Sequence, residues 1–90
     1  MTKEKANKVY DILVRIGGAD EMMRESFIHH HSDDRGRDVC SEWRFAGKLG
    51  FGGKYRSRYN TVDCYEEHST PKINTLIEDI NRELKIIANG

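Results

Sequence analysis

Three places in this sequence hold side chains capable of chemistry. His29, His30 and His31 are the first. On a strand His29 and His31 would share a face, and Cys40, Asp33 or Asp34 could supply a third ligand. Zinc sites are usually built from paired spacings such as HExxH or CxxC, and neither occurs here, so we expect an exposed edge-strand feature and no metal. The second place is Cys64, Glu66 and His68. A nucleophile needs a base within about 3 Å and a site for the developing oxyanion. Spacing supplies neither, and the expectation is that the protein is not an enzyme.

The third place is the most informative. From Arg44 to Arg58 the chain carries Arg44, Lys48, Lys54, Arg56 and Arg58 with no acidic residue, interleaved with Trp43, Phe45 and Tyr59 and with Gly50, Gly52 and Gly53. Glycines inside a strand weaken it and mark a bulge, a bend or a place where another group comes close. Lysine and arginine charges with free backbone N–H groups hold phosphate, and aromatic rings stack on bases at about 1–3 kcal/mol per base. The run is not a P-loop, because Tyr55 follows Lys54 where Ser or Thr is required. Against a binding role stands a structural one: aromatic rings laid across strand glycines stabilise a sheet.

The elements that must position these groups follow from periodicity. Ile73, Leu76, Ile77, Ile80, Leu84 and Ile87 form one apolar stripe. Thr70 as N-cap and Pro71 at the first helical position start a helix over 71–88. Ala6, Val9, Tyr10, Leu13 and Ile16 predict an earlier helix stopped by Gly17-Gly18, with a short helical turn at 20–24. Residues 25–31 fit a strand or a continued helix. Val39 to Phe45 alternate as a strand, Gly47-Lys48 suits a two-residue hairpin turn, and further strands are expected at Leu49–Arg56 and Tyr59–Glu66. That turn would pair Phe45 with Gly50, Trp43 with Gly52 and Ser41 with Lys54, placing rings, bare backbone and cations on one face. The opposite face, with Leu49, Phe51, Gly53, Val62, Cys64, Cys40 and nearby Tyr55, would lie under the helices as the core. The fold expected is α+β: an antiparallel meander of three or four strands packed against an N-terminal and a C-terminal helix, as one domain over residues 1–90.

Composition narrows the function classes. The 90 residues hold 15 Lys plus Arg and 15 Asp plus Glu, so the formal net charge is zero and a polycationic or DNA-mimicking chain is excluded. With 37% hydrophobic residues the core is thin for this length, and a homo-oligomer is the expected remedy. No apolar run approaches the roughly 18–20 residues that span a bilayer, and Met-Thr-Lys-Glu-Lys-Ala lacks a signal peptide's apolar stretch, so a cytoplasmic location without membrane contact is expected. Two cysteines outside any CxxC pair point to reduced thiols.

Glu42-Trp43-Arg44-Phe45, Gly47, Leu49-Gly50-Phe51-Gly52-Gly53-Lys54-Tyr55, Val62, Cys64-Tyr65, Glu67 and Thr70-Pro71 together resemble a group of small phage and prophage proteins without a settled function. The resemblance spans residues 42–80 and departs from that pattern in a shorter connection around Ser57 to Asn60. It implies a phage-encoded accessory protein acting in the host cytosol, of a kind that antagonises host defences by gripping an effector protein or sequestering a nucleotide signal. Two functions are carried forward. In the first, a module without a cofactor captures a phosphate-bearing nucleotide or short nucleic acid on the glycine-floored face. There Trp43 and Tyr59 stack, Phe45 flanks them, Lys54 and Arg56 hold phosphate, and Gly50, Gly52 and Gly53 admit close approach. In the second, the same aromatic and arginine side chains anchor a protein-protein inhibitor of a host defence effector.

Overall fold

Thr2 opens the first helix by accepting the Lys5 N–H on its hydroxyl at 3.2 Å, so that α1 runs Lys3–Arg15. Its end is a Schellman closure: Gly17 takes φ 74°, its N–H reaches the Val14 carbonyl at 3.0 Å, and the Gly18 N–H reaches Leu13 at 2.8 Å. In this computed structural model residues 1–33, 35, 41–46 and 51–89 are described. A single 3-10 turn at Glu21–Met23 leads into α2, Arg24–His31. The strands are β1 (Glu42–Phe45), β2 (Gly53–Arg56) and β3 (Thr61–Cys64), followed by a 3-10 turn at Glu66–His68. The last helix, α3, runs Pro71–Asn89 and is capped by the Thr70 hydroxyl on the Ile73 N–H at 3.2 Å.

The fold is α+β, with an antiparallel sheet in the order β1-β2-β3 and helices at both ends of the chain. Residues 25–31 belong to a helix, not a strand. The helix brings Phe27 and His31 onto one face at i, i+4, where their rings stack at 4.2 Å and enter the core. The strand expected at Tyr59–Glu66 is present but shorter, as β3, because Tyr59 and Asn60 form the β2–β3 turn and Glu66 starts the 3-10 turn.

Register is where the structure departs furthest from the sequence reading. Phe45 pairs with Gly53, Trp43 with Tyr55, Arg44 with Lys54 and Glu42 with Arg56. Relative to the two-residue hairpin this is a slip of three, and a slip by an odd number turns a strand over. Seven residues, 46–52, therefore join β1 to β2. The Gly47-Lys48 turn itself lies outside the described residues, as do Leu49 and Gly50. The β2–β3 ladder pairs Lys54 with Asp63 and Arg56 with Thr61, a slip of two that leaves every side chain on its expected face. Burial decides the outcome for β1. Turned over, it puts Trp43 and Phe45 beneath the helices with Phe51, Tyr55 and Val62, and leaves the charged Glu42 and Arg44 in water. Gly53 opposite Phe45 must lack a side chain, because a Cβ there would overlap the Asp63 carbonyl oxygen.

The core lies between sheet and helices. It joins Ala6, Val9, Tyr10, Ile12, Leu13 and Ile16 to Phe27, Phe45, Phe51, Tyr55, Val62, Ile80 and Leu84. Two asparagines fasten α3 to the sheet. Asn81 clasps the backbone of Val62, and Asn60, at φ 51°, accepts the Tyr55 hydroxyl at 2.6 Å and donates to the Leu84 carbonyl at 2.7 Å. Asparagine tolerates this left-handed conformation better than most residues, and here its side chain is also used.

Candidate binding surface

Helices cover one face of the sheet, so the other presents two cross-strand rows. One is Glu42, Arg56 and Thr61; the second is Arg44, Lys54 and Asp63. The second row sets two cations directly opposite each other, an arrangement that destabilises a sheet by itself. Carboxylates soften it from the side. Glu42 lies 3.5 Å from Arg44 and 3.6 Å from Arg56, and Asp63 lies 3.8 Å from Arg56. All three pairs are long and partly hydrated, so an incoming anion can exchange with them at little penalty. Lys54 makes no ion pair among the described residues. With Arg58 the surface holds four cations and two carboxylates.

At the end of this face, near the β2–β3 turn, Ser41, Glu42, Arg56, Arg58 and Tyr59 bound an open depression of about 350 Å3. The turn is pinned to the start of β1: Ser57 donates its N–H to the Ser41 carbonyl at 2.9 Å, and its hydroxyl both accepts the Ser41 N–H at 2.8 Å and donates to the Ser41 carbonyl. The exposed Tyr59 ring carries the Arg58 guanidinium 5.6 Å from its centroid, a cation–π pair in water.

Each residue expected at a glycine-floored site can now be placed. Lys54 and Arg56 lie on the open face and Tyr59 at its end. Trp43 and Phe45 do not join them. Trp43 is half-buried on the helix side, edge-on to Tyr10 and Phe27, and donates its indole N–H to the Gly18 carbonyl at 3.3 Å. Phe45 packs on Gly18 and lies edge-on to Phe51 at 5.8 Å. Gly52 and Gly53 are buried, with Gly52 under the Tyr65 ring and Gly53 against Asp63, so neither is a floor open to a ligand. Gly50 lies outside the described residues. The single aromatic, glycine and basic face is thus divided between the two sides of the sheet. Arg44 and Arg58 take the vacated places; their membership of the acid-free basic run was the signal that could have nominated them.

The other chemistry-bearing groups have structural neighbours. His68 uses Nδ1 to accept the Gly52 N–H at 2.7 Å, and with the Tyr65 N–H on the Gly52 carbonyl at 2.9 Å it fastens the end of the β1–β2 connection. Cys64 is a half-buried free thiol. Because α2 is a helix, the histidine run is split: His29 and His30 stay exposed while His31 turns inward. Burial holds the His31 imidazole down at about pKa 4, with smaller electrostatic contributions from His30 and the Met1 ammonium.

No protein-family model, curated protein or solved structure matches the chain. Among the described residues no helix is long and apolar enough to cross a membrane.

Proposed function

We propose that the protein is a non-catalytic binding module that docks the open face of its sheet onto an acidic surface of another protein. The observation that carries this reading is the Arg44–Lys54 pair, two cations set opposite each other on an uncovered face, an arrangement a partner's carboxylates would relieve. Arg58 and Tyr59 at the end of that face are the residue types that anchor interfaces. With the phage-protein resemblance of residues 42–80, the partner we propose is a host defence protein in the cytosol. The test compares a tagged protein with its Lys54→Glu and Arg58→Glu variants, using co-purification of a stoichiometric partner and then titration of that partner. Charge reversal should weaken capture at least tenfold, and capture should fall with added salt. Undiminished capture by both variants would sink the reading.

A second reading rests on the depression itself. Its 350 Å3 would take one phosphate-bearing nucleotide, with Tyr59 stacking on the base and Arg56 and Arg58 on the phosphate. Native mass spectrometry of protein purified from its host would report such a ligand and any homo-oligomer together. Calorimetry against cyclic and linear nucleotides, with Tyr59→Ala as control, then decides for or against it.

A further inference from the structure

Helix α2 is held to the protein in two unlike ways. At its N-terminal end Arg24 lies over the Tyr10 ring at 5.0 Å, and its guanidinium reaches Asp11 at 2.7 Å, Glu21 at 2.7 Å and the Asn7 side chain at 3.1 Å. At its C-terminal end the contacts are mainly rings, joined by the partly buried Ile28 and by the Asp33 N–H on the Met1 carbonyl just beyond the helix. Phe27 and His31 are the two fully buried residues of the helix, stacked on each other, with Tyr55 at 5.8 Å from each and Trp43 at 5.4 Å from Phe27 and 6.5 Å from His31. The imidazole is 1% exposed, and its Nδ1 has no hydrogen-bond partner among the described residues.

We propose that His31 is an acid-sensitive latch: its protonation frees the C-terminal end of α2 from the aromatic core and uncovers Trp43 and Tyr55, while Arg24 keeps the other end of the helix attached to α1. A neutral imidazole is tolerated among aromatic rings, but an imidazolium needs hydration or an acceptor for each N–H, and among the described residues no acceptor faces Nδ1. Among the described residues the rings around it are Phe27, with Tyr10 of α1 behind it, Trp43 of β1 and Tyr55 of β2, and none of them carries an anionic charge at neutral pH. The charges that act on it are His30 on its own helix and the Met1 ammonium, and both oppose protonation. Asp33, two residues on, accepts the Arg35 N–H at 2.6 Å on its carboxylate and donates its own N–H to the Met1 carbonyl at 3.0 Å. A protonated ring therefore finds its nearest relief in water, and the end of α2 is the part that can swing toward it.

Trp43 is the only tryptophan and borders the latch, so it reports the opening directly. Its emission should shift toward that of a water-exposed indole between pH 6.5 and about 4, ahead of any collapse of the far-ultraviolet helical signal. His31→Phe, which keeps a ring in the stack, should abolish the shift, and His29→Gln with His30→Gln should retain it. Histidine NMR on the unsubstituted protein decides the matter even if His31→Phe fails to fold. One of the four imidazoles should titrate well below the others, in step with the Trp43 indole resonance. Titration of all four near pH 6.5, or a low-titrating imidazole that leaves Trp43 unmoved, would overturn the latch.

Discussion

Asn81 on α3 pairs with both backbone polar groups of Val62, accepting its N–H at 2.8 Å and donating to its carbonyl at 3.0 Å. Its amide stands where a neighbouring strand's peptide would stand, and so closes the edge of β3, which the order β1-β2-β3 leaves without a partner strand. Asn81→Leu keeps helix propensity but strands two buried groups. It should lower stability by about 2 kcal/mol in urea unfolding and raise self-association by light scattering.

Gly53 and Gly18 both lie close against other residues, but unequally. An added methyl at Gly53 meets the rigid Asp63 backbone, whereas at Gly18 it meets the Phe45 ring at 3.1 Å. Gly53→Ala should disrupt the β2–β3 ladder and destabilise by more than about 3 kcal/mol, while Gly18→Ala should cost about 1 kcal/mol as the ring shifts. Chemical denaturation of the two variants side by side checks the order.

Tyr55 is wholly buried, and burial raises the pKa of its phenol well above the usual value. Its hydroxyl is satisfied only through Asn60 among the described residues. Tyr55→Phe leaves the Asn60 side-chain oxygen without its donor and should destabilise by about 1–2 kcal/mol. Asn60→Ala loses two bonds and adds a strained φ, so it should be the more damaging of the pair by thermal unfolding.

Acid should weaken the whole fold as well as the latch. His31 has a folded pKa depressed from 6.5 to about 4, so its neutral form is the one the fold favours. The associated stability is complete above pH 6.5, declines as pH falls toward 4, and levels off below it. Linkage gives about 2 kcal/mol lost between pH 7.5 and 5, and His31→Phe should flatten that slope in urea titrations.

Trp43 separates the sheet's two sides experimentally. Trp43→Ala removes ring contacts with Tyr10 and Phe27 and should destabilise by about 3 kcal/mol. At concentrations where it remains folded, its binding should match the parent protein. Tyr59→Ala should do the reverse, sparing stability and weakening binding several-fold.

The helix ends were legible because their signals are local: Thr70-Pro71 and Gly17-Gly18 act within one turn of the boundaries they set. The membership of the core face was also legible for Phe51, Gly53, Tyr55, Val62 and Cys64, because a slip of two between β2 and β3 conserves alternation. Trp43 and Phe45 were misplaced by a single quantity, the length of the β1–β2 connection, which a Gly-Lys dipeptide suggests but does not determine. Burial of two large rings outweighed the turn preference. In residues 25–31 the stack of Phe27 on His31 outweighed a short alternating pattern that carries little information by itself. Lys54, Arg56 and Tyr59 could be nominated from charge and ring type, whereas the Arg44–Lys54 opposition required the register. Asn60 and Asn81 gave no signal, because an asparagine's tertiary partner leaves no trace in its neighbours.

The β1–β2 connection is secured separately at its two ends, by Phe45 seated on Gly18 and by Gly52 held between His68 and Tyr65. Neither anchor depends on how many residues lie between them. Loop-closure entropy changes by only about 0.6 kcal/mol when such a segment doubles in length. Insertions and deletions after Ala46 and before Phe51 should therefore be available to evolution without turning β1 over, so a lineage could vary the length of this connection while leaving the sheet unchanged.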